Sequence, residues 1–297
     1  MSADQDAIQR LQEVAARLSA ISRQDSYDPF LLFEWSDSLP VTDYWMAPEL
    51  MTCYGTQVWD EFTEEQKLTL SRWEAVNFFS LNVHLIRDLI GGVADRIYTT
   101  RFPGLADFFH DFISEENKHM WFFATFCLKY GGKVYPSGKT FPAGSADGEV
   151  LRDLMVFGRI MIAEELCDAY NIKMAEDTRL PALVQQINRV HHHDEARHIA
   201  FGRQLMRALA ERAASTAGPD GMRVVGDYLA RYEQVCLHAF YNPTVYADAG
   251  IKGGRRLRAQ LLEDPAREKI HHDLMSKTTT FLERLGLSPM TTMAAAQ

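Results

Sequence analysis

The segment HHHDEARH, residues 191–198, decides how this chain is interpreted. Glu195 and His198 form an E-x-x-H pair, whose two side chains project from one face of a helix and can hold a metal ion together. His191 lies one turn upstream, and all three side chains fall within an arc of about 60°. The segment therefore predicts a helix that offers three metal ligands.

Two further E-x-x-H pairs occur, Glu116–His119 and Glu268–His271. On the order of one such pair is expected by chance in a chain of this composition, so the surroundings must choose among them. The first pair is followed directly by MWFF, residues 120–123, which indicates that it faces a core. The second lies in a polar run near the C-terminus with charges on every side and is not expected to bind metal. The sequence thus predicts two metal-binding helices.

A di-metal carboxylate site also takes a Glu from each of two other helices. Glu74 is the only acidic residue between Glu65 and Asp88, and it lies among apolar side chains, where a carboxylate is costly to bury without a cation. In the apolar run RIMIAEELCDAY, Glu164 and Glu165 are both candidates, and helical periodicity barely separates them. Glu164 is favoured, with Glu165 as its substitute.

Carboxylates and imidazoles together suit iron, and manganese also binds such sites. Asp168 and Asp194 are candidates for orienting a ligand His through its second ring nitrogen. His192 and His193 point roughly 100° and 200° away from the ligand face and are expected at the surface or in packing. No catalytic residue is predicted beyond the metal ligands, and the predicted cofactor is a pair of iron ions.

The chain shows a series of long apolar-periodic segments that end at Gly or Pro, with hardly any alternating strand pattern. This predicts an all-α protein, a single helical domain over 1–297 with a four-helix bundle core at about 62–215. Additional N- and C-terminal helices, a crossover at 133–148 and a flexible tail at 288–297 are expected. Helices are predicted over about 63–92, 103–132, 149–177, 181–214, 222–240 and 265–285.

Composition narrows the functional class. A net charge of -9 provides no basic field for a nucleic acid. The four cysteines are widely spaced, which argues against a zinc knuckle or a disulfide framework and fits a reducing compartment. The N-terminus lacks the features of a signal peptide, and no apolar stretch reaches the ~20 residues of a membrane span. A cytoplasmic protein is predicted.

With these residues in place, the sequence resembles the di-iron arylamine N-oxygenases, typified by p-aminobenzoate N-oxygenase, in the ferritin-like superfamily. The resemblance covers about residues 60–200 and includes the extra His191 before the second motif. It implies seven metal ligands: Glu74, Glu116, His119, Glu164, His191, Glu195 and His198. It also implies a ferritin-like bundle with two irons and dioxygen as co-substrate. An external electron donor is expected, because the chain shows no flavin or nicotinamide fingerprint.

The implied activity is oxidation of a primary aromatic amine through hydroxylamine and nitroso stages to a nitro group, in natural-product or antibiotic biosynthesis. The alternative is a di-iron hydroxylase or desaturase that acts on carbon, with a substrate tethered to a carrier protein, because the motif does not separate the two chemistries. An iron-storage bundle is a third hypothesis, disfavoured by the chain length and by His191. The expected partners are the amine, a reductase and a second copy of the chain in a homodimer.

Overall fold

The computed structural model describes residues 3–138, 141–142, 144 and 146–289. Of the predicted tail at 288–297, residues 290–297 lie outside the described residues. The described part contains no β-strand, which confirms the all-α prediction. The helices are α1 (Ala3–Gln24), α2 (Pro29–Leu32), α3 (Gln57–Glu61), α4 (Glu64–Ala94), α5 (Ala106–Phe126), α6 (Glu149–Glu176), α7 (Ala182–Ala239), α8 (Pro243–Asp248), α9 (Gly254–Leu262) and α10 (Pro265–Arg284).

Helix α4 begins where the sequence predicts but ends later. The hydroxyl of Thr63 accepts a hydrogen bond from the backbone N–H of Gln66, and the Gln66 side chain accepts one from the N–H of Thr63. The predicted stop at Gly91 and Gly92 is wrong, because both glycines lie inside the helix. A Cβ on Gly92 would lie 3.1 Å from Val156 of α6, so this glycine permits close packing of the two helices.

Two other glycines do end helices. A π-helical turn, Cys127–Gly131, follows α5, and Gly132 closes it with a φ of 69°, in the left-handed region that favours glycine. Within α7, Gly218 has a φ of 63° and precedes a proline, so α7 consists of two helices joined at a break. This break separates the fourth and fifth predicted helices.

Helices α4, α5, α6 and the first half of α7 form the bundle. Phe108 and His119 of α5 contact Phe201 and His191 of α7 in reverse chain order, so these helices run antiparallel. Helix α6 also runs antiparallel to α7, and its Asn171 meets the same His191. Helices α5 and α6 therefore point in the same direction, which is the arrangement that the predicted crossover between them requires.

The remaining helices surround this core. Helix α1 packs against α5 and α7, while α8 packs against α4 and α10 against α6. The predicted bundle with additional N- and C-terminal helices is thus confirmed. All four cysteines are buried and free. Among the described residues, no helix combines the length and the apolar character needed to cross a membrane.

Candidate metal centre

Six of the seven predicted ligands come together inside the bundle. Their ligand atoms form two groups, and within each group all atoms lie within 4.8 Å of one another. The carboxylate cluster is Glu116, Glu164, Glu195 and His198, and the imidazole cluster is His119, His191 and Glu195. Because Glu195 belongs to both, the two clusters are adjacent, as two neighbouring metal positions must be.

Three helices deliver these side chains, and each side chain is buried. Nδ1 of His198 lies 2.9 Å from an oxygen of Glu116, and Nδ1 of His119 lies 3.3 Å from the same oxygen. Nε2 of His191 lies 2.9 Å from an oxygen of Glu195. Each imidazole therefore directs one nitrogen at the carboxylates, which is the arrangement of ligands around shared cations.

Several of these buried atoms make no hydrogen bond. They are both carboxylate oxygens of Glu116, one oxygen each of Glu164 and Glu195, and Nδ1 of His119 and of His198. A buried polar atom without a partner costs about 1–3 kcal/mol, so a group of them in one place requires an explanation. Divalent cations would satisfy them all, and carboxylate with imidazole is a donor set that iron accepts. The residues present therefore fit a two-metal centre.

The charges inside the clusters oppose one another. Burial favours a higher pKa for Glu116, but the His119 and His198 imidazoles outweigh it and lower that pKa. Burial, and then the charge of Glu116, raise the pKa of Glu195. Burial favours a lower pKa for His119, yet Glu116 and Asp194 raise it to about 9. Without a metal His119 therefore holds an extra proton at neutral pH, and metal binding should release it.

Two carboxylates orient the E-x-x-H imidazoles from behind. Nε2 of His119 lies 2.9 Å from Asp194, and Nε2 of His198 lies 2.9 Å from Glu115. Because an ionised carboxylate only accepts hydrogen bonds, it keeps a proton on Nε2 and leaves the Nδ1 lone pair directed at the clusters. Both histidines are therefore presented as Nδ1 ligands.

A buried arginine joins these two carboxylates. Arg197 donates to Glu115 at 2.6 Å and to Asp194 at 2.5 Å, and its Nε donates to Ser22 at 3.0 Å. Tyr27 donates its hydroxyl to Asp194 at 3.0 Å. The N-terminal part of the chain, which carries Ser22 and Tyr27, thus completes the back of the metal centre.

The sequence pointed to Asp194 but missed Glu115, Arg197 and Asn171. Asn171 lies 2.6 Å from Nδ1 of His191, on the side of the ring that faces away from the clusters. Charged residues beside a motif usually face solvent, and nothing in the sequence marks these as buried. The only available signal is that Glu115 and Arg197 each adjoin a ligand in the chain.

The structure separates Glu164 from Glu165. Glu164 faces the carboxylate cluster, whereas Glu165 accepts a hydrogen bond from Arg203 at 2.7 Å. The suggestion that Asp168 orients a ligand is corrected, because its carboxylate instead lies 2.6 Å from Nδ1 of His192, which belongs to neither cluster.

Glu74 belongs to neither cluster, which corrects the predicted ligand set. It is buried, but its carboxylate accepts hydrogen bonds from the backbone N–H and the hydroxyl of Thr52, at 3.0 and 2.5 Å. Phe78 of α4 stacks on Tyr170 of α6, with ring centroids 5.0 Å apart. This pairing sets Glu74 about ten residues, or roughly 15 Å, from Glu164 along the helices. The sequence indicated that Glu74 is buried, but not its position along α4 relative to the metal ligands.

We expect Glu74→Gln to stabilise the protein at pH 8 and to change its stability little at pH 5. Burial raises the pKa of Glu74 to about 7, although the Thr52 hydrogen bonds oppose this. Between its ordinary pKa and about 7, the folded state keeps the proton and the unfolded state releases it, so the free energy of unfolding falls as the pH rises. Glutamine removes that loss, about 3 kcal/mol by pH 8. Urea unfolding of both proteins at the two pH values measures the difference.

Metal content is the control for this comparison. Glu74→Gln should bind as much metal as the wild type, whereas a loss of metal would return Glu74 to the ligand set. An equal fall in stability with pH in both proteins would show that Glu74 does not carry the effect.

An apolar cavity of ≈ 20 Å³ opens onto Glu164 and His198. Its walls include five phenylalanines, Phe108, Phe109, Phe112, Phe157 and Phe201. A cavity of this volume holds about one water molecule, so a larger molecule enters only when side chains move. Met161 lines the cavity, and a Cβ on Gly202 would lie 2.3 Å from its sulfur. Apart from the two ligands, the described lining carries no charged side chain.

Among solved structures, the chain is similar to R2-like ligand-binding oxidases. One, a variant with an anaerobically reconstituted Mn/Fe cofactor, has a TM-score of 0.56 at 14% identity, covering 91% of this chain and 93% of that chain. Another, with an aerobically reconstituted Mn/Fe cofactor, has a TM-score of 0.55 at 14% identity, covering 94% and 93%. A third, without metal cofactor, has a TM-score of 0.51 at 15% identity, covering 91% and 96%.

At these identities the likeness shows the fold, and it confirms the ferritin-like bundle. No curated protein matches the sequence. The family model of p-aminobenzoate N-oxygenase AurF matches residues 9–286, which is nearly the whole chain. The chain therefore belongs to the p-aminobenzoate N-oxygenase family and is a di-iron oxygenase.

Proposed function

We propose that the protein N-oxygenates a primary aromatic amine, through hydroxylamine and nitroso stages to a nitro group. The observation that carries this proposal is the phenylalanine-walled cavity that ends at Glu164 and His198. Aromatic rings stack favourably on such walls, and an amine is then the polar end of the molecule that meets the metal centre. Family membership favours nitrogen over carbon as the oxidised atom.

The bound irons supply the activation of dioxygen once they are reduced. The residues of the chain hold the metals, exclude water and place the substrate. Asp194 and Glu115 keep the His119 and His198 imidazoles in the orientation that ligation needs. The apolar walls limit water at the site, which protects reactive intermediates from side reactions. Opening the cavity to an amine requires movement of a flexible side chain, and Met161 is suited to it.

The absence of a charged group in the described cavity lining, apart from the ligands, restricts the substrate further. A carboxylate buried without a partner is costly, so an aryl amine without a charged substituent fits better than p-aminobenzoate itself. We also propose an external reductase as electron donor, a role in natural-product biosynthesis and a homodimeric assembly.

The test is a single-turnover reaction. Iron-loaded protein is chemically reduced, mixed with dioxygen and a panel of aryl amines with and without a carboxylate, and the products are identified by mass. We expect hydroxylamine and nitro products, formed mainly from the uncharged amines. His191→Ala should lose them, because it removes a ligand of the imidazole cluster. Glu268→Gln, which changes an exposed glutamate of an E-x-x-H pair outside both clusters, should retain them.

Oxidation only at carbon would overturn the proposal in favour of a hydroxylase or desaturase. The absence of any product from protein that carries two irons and reacts with dioxygen would also count against an amine substrate. Uptake of iron far beyond two ions per chain would favour storage.

A further inference from the structure

Helix α4 passes the metal centre at residues 84–86. Phe78 stacks on Tyr170 of α6, and a Cβ on Gly92 would lie 3.1 Å from Val156. In both pairs the two residue numbers add up to 248, as expected when two helices run antiparallel and facing residues keep a constant sum. Glu164 of α6 therefore lies opposite about residue 84 of α4. The pairing with α5 agrees. The ring centroids of Phe79 and Phe123 lie 5.1 Å apart, and these two residue numbers add up to 202. The same reasoning places residue 86 of α4 opposite Glu116 of α5.

The side chains that α4 directs into the bundle near this level carry no charge. Phe78 faces α6 and Phe79 faces α5, and helical rotation of about 100° per residue places Asn82, Ile86 and Leu89 between these two directions. All three are buried. Of the three, only Asn82 has a polar side chain, and its amide nitrogen donates a hydrogen bond to the carbonyl oxygen of Phe78 in the same helix, at 2.9 Å.

The other polar groups of α4 near this level point elsewhere. Nε2 of His84 lies 2.7 Å from the carbonyl oxygen of Tyr135, in the segment after α5. Asp88 is exposed and pairs with Arg87. Throughout α4, which the structure describes in full, no carboxylate therefore faces the centre.

This absence makes the two metal positions unequal. A two-metal bundle site normally takes one Glu from each of two helices in addition to the paired E-x-x-H motifs. Here Glu164 serves the carboxylate cluster alone. The imidazole cluster has no carboxylate of its own, because Glu195 is shared and Glu116, whose oxygen lies 3.3 Å from Nδ1 of His119, belongs to the carboxylate cluster. The residues behind the ligands do not offset this difference in carboxylate number. Asp194 contacts His119 of the imidazole cluster, Glu115 contacts His198 of the carboxylate cluster, and Arg197 donates to both of these acids.

We propose that the centre fills in order: a hard divalent ion binds first in the carboxylate cluster, and a second ion binds more weakly in the imidazole cluster, where α4 supplies no carboxylate. The proposal rests on the two-metal centre of the proposed function. Oxygen-rich positions suit hard ions such as Mn²⁺, and imidazole-rich positions favour later transition metals. The number of charged ligands sets the affinity for hard cations, so the first position should be the tighter one for Mn²⁺.

Titration of the metal-free full-length protein with Mn²⁺ alone, followed by electron paramagnetic resonance, tests the proposal. We expect the first equivalent to give the spectrum of an isolated bound ion. The second equivalent should bind at least about tenfold more weakly and give the broadened spectrum of two coupled ions. His191→Ala should abolish the second step and leave the first. Glu164→Gln should weaken the first.

Asn82→Asp supplies the absent carboxylate near the level of His119, which the sum of 202 places opposite residue 83, and should tighten the second step towards the first. If this buried acid prevents folding, Ile86→Glu, one turn further along the same face, is the substitute. Two ions taken up with a single affinity, and coupled from the first addition, would overturn the proposal and leave the two-metal centre intact. Loss of the first step in His191→Ala would also overturn it. No Mn²⁺ or iron binding at all would instead remove the basis of the proposed function.

Discussion

Replacing Glu195 with glutamine should remove both metal ions and leave the metal-free protein as stable as the wild type, or more stable. Glu195 is the one residue common to the two clusters, so its loss affects both positions. In the metal-free protein, burial and the charge of Glu116 raise the pKa of Glu195. The charged form is therefore disfavoured there, and the neutral amide relieves the repulsion.

The two halves of this prediction are measured together. Metal analysis gives the ions per chain, and thermal unfolding with and without metal gives the stabilisation. A ligand at a hundredfold excess over its dissociation constant stabilises the wild type by about 2.7 kcal/mol for one site, and the variant should lose this increment. Glu268→Gln is the matched control, because it alters an exposed glutamate of the E-x-x-H pair that belongs to neither cluster.

A variant that still bound two ions would show that Glu195 is not the shared ligand. A large loss of stability in the metal-free variant would show that Glu195 supports the fold through contacts other than metal binding. Only the combination of lost metal and retained stability fits a residue held in place for the cations.

Replacing Arg197 with methionine should have the opposite outcome, a marked loss of stability even without metal. Arg197 is the buried cation between Glu115 and Asp194, and its side chain is 7% exposed. Removing it leaves two buried carboxylates without their partner, which typically costs about 3–5 kcal/mol. Urea unfolding at constant pH measures the change.

Arg203→Met is the control for this substitution. Arg203 also pairs with a glutamate, Glu165, but its side chain is 35% exposed, so the loss should stay within about 1 kcal/mol. Adding Glu115→Gln to Arg197→Met should recover part of the stability, because one of the two stranded charges disappears. If Arg197→Met and Arg203→Met behaved alike, the buried ion network would be of little energetic importance.

The sequence predicted what depends on local pattern. The helices follow from apolar periodicity, although the glycines predicted to end α4 lie inside it. The E-x-x-H spacing places Glu and His on one face whatever surrounds the helix. His191 was found for the same reason, because it lies one turn from Glu195 on that face. These inferences need only the geometry of a single helix.

What the sequence could not provide depends on how helices are set against each other. Glu74 was recognised as a buried acid, but its height along α4 relative to α6 is fixed by packing such as Phe78 on Tyr170. Glu164 and Glu165 differ by one residue, about 100° of rotation, and only the position of α7 decides which one faces inward. Glu115 acquires its role through Arg197, a partner far away in the chain.

Because Arg197 donates a hydrogen bond to Ser22, helices α4 to α7 alone are not sufficient to rebuild this metal centre in another protein. A protein designer who lifted α4 to α7 into a new scaffold would keep every metal donor described above. The new scaffold would nevertheless lack the hydroxyl groups of Ser22 and Tyr27, and the charged layer behind the histidines would be opened to water on the side that α1 covers. A transferable version of this centre has to include the amino-terminal helix as a fifth structural element.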